Sequence, residues 1–522
     1  MVQRFLPRSS VADDVLVPVL DQIRAELGVP AHFPPEVTEH AGRAVAQWQV
    51  FLAAVGAHPD TALPATAALG LATGTPSRHW WHALQDEQLN TLVQTAMQHN
   101  QDRQAAVAAV RQARALAGLA ARDALPQGGL NAQAQAQRPS LAEVDPYNQG
   151  LDRPPQQRLG TIAQMVSWEI DLFGRVGTAS AVAQRQADAA AATAHSAEAL
   201  LQAEVVRHYV LLRLYQHDLA RLHEESDVLQ RRHTLLQARE RAGLADRRED
   251  LAAQAQREQA QATIAQTQAA LHGTRAALAV LAGRAPATAE ADSTWQALLA
   301  PQTTASVALP AVPDTSGVVQ PTDLLARRPD VARADAQLRA ALGETVLADR
   351  AHLPRLSLNL SAGLNAPFGA LGQASAVRYA VGPALQWDWL DAGRNRARAA
   401  AAKAGDEVAW HQLENTVLQA LADSESALRG WGAARTAWQH ATQAESAAQR
   451  AAQHAQKRFD TGLEPPTEAL QHQAQWLQAR RSTMAQQADT LQAYARVQLA
   501  LAAWQPDDAG TERTAANPNA KP

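Results

Sequence analysis

The 522-residue sequence predicts a mainly α-helical chain with a small β part, built as two similar halves in tandem. Three observations carry this reading. Arg175 to Glu240 contains no proline, and Gly177 is its only internal glycine. Such a helix would run about 90–100 Å at 1.5 Å per residue. Short segments elsewhere alternate apolar and polar residues with a period of two, the signature of a half-buried strand. Finally, separated patches repeat at one constant spacing.

The repeat is explicit. Trp168-Glu-Ile-Asp-Leu-Phe-Gly-Arg175 echoes Trp387-Asp-Trp-Leu-Asp-Ala-Gly-Arg394, 219 residues on. Gly243-Leu244, Glu249 and Leu251 echo Gly462-Leu463, Glu468 and Leu470 at the same offset of 219. Asp102 to Pro126 matches Asp330 to Pro354 more weakly, at 228. The difference fits one longer loop in the first copy. The expected organisation is an N-terminal extension 1–79, a first repeat 80–283, a connector 284–321, a second repeat 322–504 and a disordered tail 505–522. The extension holds one amphipathic pattern (Val45, Trp48, Phe51, Leu52, Val55), and the Pro/Thr/Ala-rich connector reads as irregular and exposed.

Each repeat has the same order of elements. A helix comes first, Leu84 to Arg122 and then Asp330 to Arg350 in the second copy. Two strands follow. Leu356, Leu358, Leu360 and Leu364 interleave with Ser357, Asn359 and Ser361. Tyr379, Val381, Leu385, Trp387 and Trp389 continue the alternation. Leu130, Ala132 and Ala134, then Ile162, Val166, Trp168 and Ile170, are the first-copy counterparts. The long helices carry apolar seams on a seven-residue step: Leu201, Tyr215, Leu222, Leu229 and Leu236 beside Val205, Leu212 and Leu219. These are coiled-coil seams with polar interruptions. Gly243 and Gly462 mark tight turns at the helix ends. Return helices, Glu249 to Leu281 and Thr467 to Ala503, complete the repeats.

Four strands cannot close a barrel, and an isolated sheet leaves edges open. Three chains would supply twelve strands, enough for a transmembrane β-barrel with an aqueous lumen. The apolar set would face lipid and the polar set the lumen. Trp168, Trp387 and Trp389 would form an aromatic belt at the membrane interface. The hairpin loops, 137–158 and 365–377, would lie outside. The long helices would continue as a coiled α-helical barrel, whose thin walls use abundant Ala and few aromatics (4%).

Other features exclude classes. Net charge is −4, so no basic field favours nucleic acid. There is no Cys, which removes disulfides, thiolate metal sites and a thiol nucleophile. No HExxH, P-loop, GxSxG or dinucleotide fingerprint appears, so neither an enzyme nor a cofactor is expected. Val15 to Leu20 is too short for a signal-peptide core, and Asp13, Asp14 and Asp21 flank it.

Several segments together resemble the outer-membrane efflux channel family, the TolC-like proteins, and most closely its NodT-type branch. They are Trp80-Trp81 with Asp86 and Leu89, Trp168 to Arg175, Leu324-Leu-Ala-Arg-Arg-Pro-Asp330, Gly382 to Trp387 through Asp391 to Arg394, and Arg458-Phe-Asp-Thr-Gly462. The resemblance spans about residues 80–504. It implies a homotrimer in the cell outer membrane and its lipid, extending into the periplasm. It further implies docking on a periplasmic adaptor and an inner-membrane efflux pump. The chain would be a passive duct for small-molecule export.

The resemblance also implies a gate at the periplasmic tips. The family's acidic positions fall on Glu468 and Gln471 at the second tip and on Glu249 at the first. Its link tyrosine falls on Phe459, which has no hydroxyl, and its link arginine on Glu464, which inverts the charge. We therefore expect Arg247 and Arg248 to pair with Glu464 or Glu468. The branch carries a lipoprotein signal and an acylated Cys, so the true start is expected to differ from Met1. The competing reading is a soluble coiled-coil scaffold, or a non-exported remnant of such a channel.

Overall fold

The alternating segments pair into a four-stranded antiparallel sheet in the order β1-β2-β3-β4. The strands are β1 (Gln127–Gln137), β2 (Gln157–Ile170), β3 (Arg355–Pro367) and β4 (Val377–Gln386). The computed structural model describes residues 79–138, 140, 156–300, 308–313 and 327–501. The amphipathic pattern at 45–55, the tail 505–522 and most of the 137–158 loop lie outside them.

Register is unbroken along all three pairings: Leu130 faces Gln164, Trp168 faces Leu358, and Leu360 faces Val381. Because side chains alternate between faces, this register sorts the sheet into two surfaces. One carries Leu130, Ile162, Val166, Trp168, Leu358, Leu360, Tyr379, Val381 and Leu385. The other carries Asn131, Gln133, Gln135, Thr161, Ser167, Asn359, Ser361 and Asn365. On this polar face Gln133 Nε2 donates to Gln135 (3.1 Å) and Gln135 Nε2 to Gln137 (2.8 Å). Thr161 Oγ1 donates to Asn365 at 3.2 Å.

β4 stops short of the expected Trp389. Continuing the register would set Trp387 opposite Pro354, which has no N–H to donate. Trp387 therefore lies past the strand and Trp389 opens a 3-10 turn, Trp389–Asp391. The first copy keeps its strand to Ile170, where Glu169 takes two bonds from Arg175 (2.8 and 2.7 Å). Its counterpart Arg394 bonds Asp391 instead, at 3.1 Å.

The helices are α1 (Glu87–His99), α2 (Gln101–Arg122), α3 (Arg175–Arg241), α4 (Arg247–Leu281), α5 (Pro286–Ala291), α6 (Ser293–Leu299), α7 (Pro329–Asp349), α8 (Ala392–Asp460) and α9 (Pro466–Ala500). α3 and α8 run 67 and 69 residues without interruption. The helix expected from Leu84 to Arg122 is instead a 3-10 turn (Trp80–Leu84) followed by α1 and α2. Asn100 makes the break. Its extended backbone ends α1, its Oδ1 accepts from Arg103 N at 2.9 Å to cap α2, and its Nδ2 donates to Leu281 O at 3.1 Å.

The described residues form two compact units. The first contains the sheet and the adjoining helix ends, within residues 110–190 and 334–413. There Gly343 lies so close to Val182 that an added Cβ would meet its methyl at 2.4 Å. The second contains residues 79–109, 191–333 and 414–501 where described. Its seams are those the heptads mark: Leu201, Val205, Leu212, Leu222, Leu229 and Leu236 are buried, as are Val417, Ser424, Leu428 and Trp431.

One expectation fails in this second unit. The connector is not wholly irregular and exposed, since it contains α5 and α6. Asp292 caps α6 at Thr294 N (2.8 Å), and Trp295 and Leu299 are buried. Trp80, Trp81, Trp295 and Trp431 sit in this core, where Tyr494 meets Trp80 edge-on at 5.9 Å and Trp431 at 6.2 Å. A helical wall this long still needs a local core where the segment 79–99 and the connector pack on it.

Candidate aperture and membrane surface

The two helical hairpins end identically. Gly243 has φ +70° and Gly462 φ +72°. Leu244 N donates to Arg239 O (2.8 Å) and Gly243 N to Glu240 O (2.9 Å). In the second copy Leu463 N donates to Arg458 O (2.8 Å) and Gly462 N to Phe459 O (2.9 Å). Both are Schellman closures, which need a left-handed residue that glycine supplies without steric cost.

Around these turns the structure re-pairs the charges. Arg248 bonds Asp246 on its own hairpin at 2.6 Å. That bond and the Arg248 N–H hold the Asp246 carboxyl below the usual carboxylate range. Glu464 accepts from Arg458 at 2.9 Å, also within its own hairpin. Within one chain the expected pairs of Arg247 or Arg248 with Glu464 or Glu468 are therefore not formed. The second-copy pair depends on a one-residue difference, because Ala245 stands where Glu464 stands.

Arg232 on α3 lies within the field of two of these acids. Burial pushes its guanidinium below the usual value, and Glu468 and Glu249 oppose that shift. Carboxylates from both hairpins thus act on one α3 cation, which also donates to Gln256 at 2.9 Å. Glu249, Glu468, Arg247 and Arg248 are exposed, Gln471 is half-buried and Phe459 is 38% exposed. The hairpins touch where Arg239 Nη1 donates to Thr467 Oγ1 at 3.3 Å. Just above the first tip, the buried His233 Nε2 faces Asp250 at 3.4 Å.

Sequence reasoning missed Arg232, Arg239 and the His233–Asp250 pair. Arg239 was findable, since it repeats as Arg458 at the 219 offset. Arg232 and His233 were not, since their counterparts are Ala451 and Ala452.

At the sheet, the duplication is written in a pair of hydrogen bonds. Trp168 Nε1 donates to Ala124 O (2.9 Å) and Trp387 Nε1 to His352 O (3.1 Å). The acceptors, like the repeat around them, are offset by 228 residues. Each indole ties the returning strand to the end of the incoming helix, with its ring left partly exposed. An amphipathic ring anchored by its N–H suits an interface that is wet on one side. Trp387→Phe keeps an aromatic ring, though a smaller one, and removes the bond. It should cost about 1 kcal/mol, read as a lower thermal midpoint; an unchanged midpoint would mean the bond contributes nothing.

Among the described residues no helix is long and apolar enough to cross a membrane. The apolar face of the sheet is exposed instead, with Tyr379 at 80% and Val381 at 66%. Sets of His, Asp or Glu that could hold a metal are absent among the described residues.

Comparison with known proteins agrees with this geometry. The model of the outer membrane efflux protein family matches residues 92–284 and 321–503. The pyoverdine export outer membrane protein OpmQ of Pseudomonas putida is 30% identical over 446 residues, covering 84% of this chain and 90% of its own. Nodulation protein T of Rhizobium leguminosarum bv. viciae is 22% identical over 71% of this chain and 73% of its own. The solved outer-membrane channel OprN superposes with a TM-score of 0.73 at 26% identity, covering 86% of this chain and 98% of that one. The fold is that of the TolC-like channels, trimers that combine a β-barrel with an α-helical barrel. This family consists of ducts rather than enzymes. The soluble-scaffold reading is set aside, since it gives no use to a sheet with one bare apolar face. The chain belongs to the outer membrane efflux protein family, as the outer-membrane duct of a tripartite efflux system.

Proposed function

We propose that three copies form a passive conduit whose inner end is closed by the hairpin tips, and that Glu249 and Glu468 give this end a preference for cations. The supporting observation is that Glu249 and Glu468 are both exposed near the Gly243 and Gly462 turns, one on each hairpin. The duct docks on a periplasmic adaptor and receives its cargo from an inner-membrane pump, and the apolar sheet face meets outer-membrane lipid. The repeats 80–283 and 322–504 each supply one tip and two strands.

Glu468→Arg tests the aperture. In planar bilayers under a salt gradient, the reversal potential should move toward anion preference, because three carboxylates become three cations at a constriction. An unchanged reversal potential removes Glu468 from the pore.

A further inference from the structure

The loop joining β3 to β4 is neutral. From Pro367 to Val377 it reads Pro-Phe-Gly-Ala-Leu-Gly-Gln-Ala-Ser-Ala-Val, with no charge before Arg378. The loop joining β1 to β2 has the opposite character, with Glu143, Asp145, Asp152 and Arg153. An outside loop bathed in water has no reason to lack charge while keeping Phe and Leu.

The neutral loop is also ordered. It winds through two 3-10 turns, Phe368–Ala370 and Ala374–Ala376. Gln373 N donates to Ala370 O and Ala376 N to Gln373 O, both at 3.0 Å. Its position relative to the sheet decides its role. A Cβ built on Gly160 would meet Leu371 Cδ1 at 2.5 Å. Gly160 lies on the face of β2 that carries Ile162, Val166 and Trp168, so Leu371 covers the apolar face. Ala366, on the same face of β3, is 9% exposed, and Ala376 in the loop is 2% exposed. On the polar face Gln133, Gln135, Asn359 and Asn365 are exposed. Phe368 remains 53% exposed.

We propose that this loop folds outward onto the lipid side of the barrel, seated by Leu371 over Gly160, and inserts Phe368 into the acyl layer of the outer leaflet. The surface is continuous with the apolar sheet face, and the missing charges remove the desolvation cost that insertion would otherwise carry. The loop thereby anchors the barrel rim and leaves the exit of the lumen uncovered. This inference rests on the lipid-facing reading of the sheet given above.

The absence of Cys makes the test clean, since one introduced thiol is the only label site. Phe368→Cys and, separately, Val381→Cys on β4 would carry a bimane label in the full chain. Each would be reconstituted in vesicles of phosphatidylcholine with or without bromine on its acyl chains. The expected result at 368 is several-fold lower emission in brominated vesicles and little quenching by aqueous iodide. Strong iodide quenching there, or protection from both quenchers as at a contact with a second copy, overturns the proposal. Val381 separates the two readings. Lipid quenching at 381 without it at 368 rejects the loop anchor alone, and its absence at both positions rejects the lipid-facing sheet.

Discussion

Acidification from pH 7 to 4.5 is expected to destabilise the native chain substantially more than a His217→Gln variant. His217 is 5% exposed on α3. Burial, then the Arg221 and Arg480 guanidinium groups, push its imidazole from 6.5 down to about 4, and Asp218 only partly offsets them. Above pH 6.5 the imidazole is neutral in both folded and unfolded chains, so its full contribution is present. As pH falls through 6.5 the unfolded chain takes up a proton that the folded chain refuses until about pH 4. Each unit of that interval favours unfolding by about 1.4 kcal/mol. The loss therefore approaches about 3 kcal/mol per chain by pH 4. Urea midpoints followed by far-UV circular dichroism at several pH values would measure it. Other carboxylates also titrate here, so the difference between native and variant carries the information. Parallel curves would show that His217 opens to water before it charges.

Removing Arg481 is expected to be as severe. On α9 this side chain reaches across to α3 and so ties the second repeat to the first. Its Nη2 donates to Asp218 at 3.2 Å and its Nη1 to Glu225 at 3.0 Å, with the acids 19% and 13% exposed. Burial alone would lower the Arg481 value, but the two carboxylates more than reverse it. Arg481→Met leaves two poorly hydrated acids seven residues apart on one helix face. Fully buried pairs lose about 3–5 kcal/mol when one partner is removed. With partial hydration here, about 2–3 kcal/mol is the expected loss. Combining it with Asp218→Asn and Glu225→Gln should recover most of that, because the penalty lies in the orphaned charges. Thermal unfolding of both variants would decide. A triple variant no more stable than Arg481→Met would place the cost in packing of the arginine stem instead.

The sequence made the fold legible wherever one physical period governed a long stretch. The heptad seams of α3, the period-two strand from Leu356 to Leu364 and the 219-residue spacing each survive in the structure because local and tertiary preferences agree. It was less legible where a single residue interrupts a pattern. Pro354 halts β4 from across the sheet, which no inspection of Trp387 and Trp389 reveals. Asn100 splits a helix while capping the next, and nothing in the apolar pattern marks it. The tip was readable as a turn and not as a charge arrangement. Gly243 and Gly462 encode backbone geometry by themselves, whereas the partner of an arginine depends on which neighbour is nearest. Arg248 and Arg458 found acids within their own hairpins, and Arg232 lay outside the tip segment altogether.

For the aperture proposed above, the self-contained closure of each tip would set the mechanics of opening. Since Leu244, Gly243, Leu463 and Gly462 satisfy the terminal carbonyls internally, a hairpin can swing as one stiff lever without breaking any main-chain bond. What would resist the swing is then the buried seam near Leu229 and Leu236 together with side-chain bonds such as Arg239 to Thr467. Each such hydrogen bond is worth roughly 1 kcal/mol. In that proposal a latch assembled from weak parts would respond to a modest push, and single exchanges in it would change how often the duct stands ajar while leaving the lever arms intact.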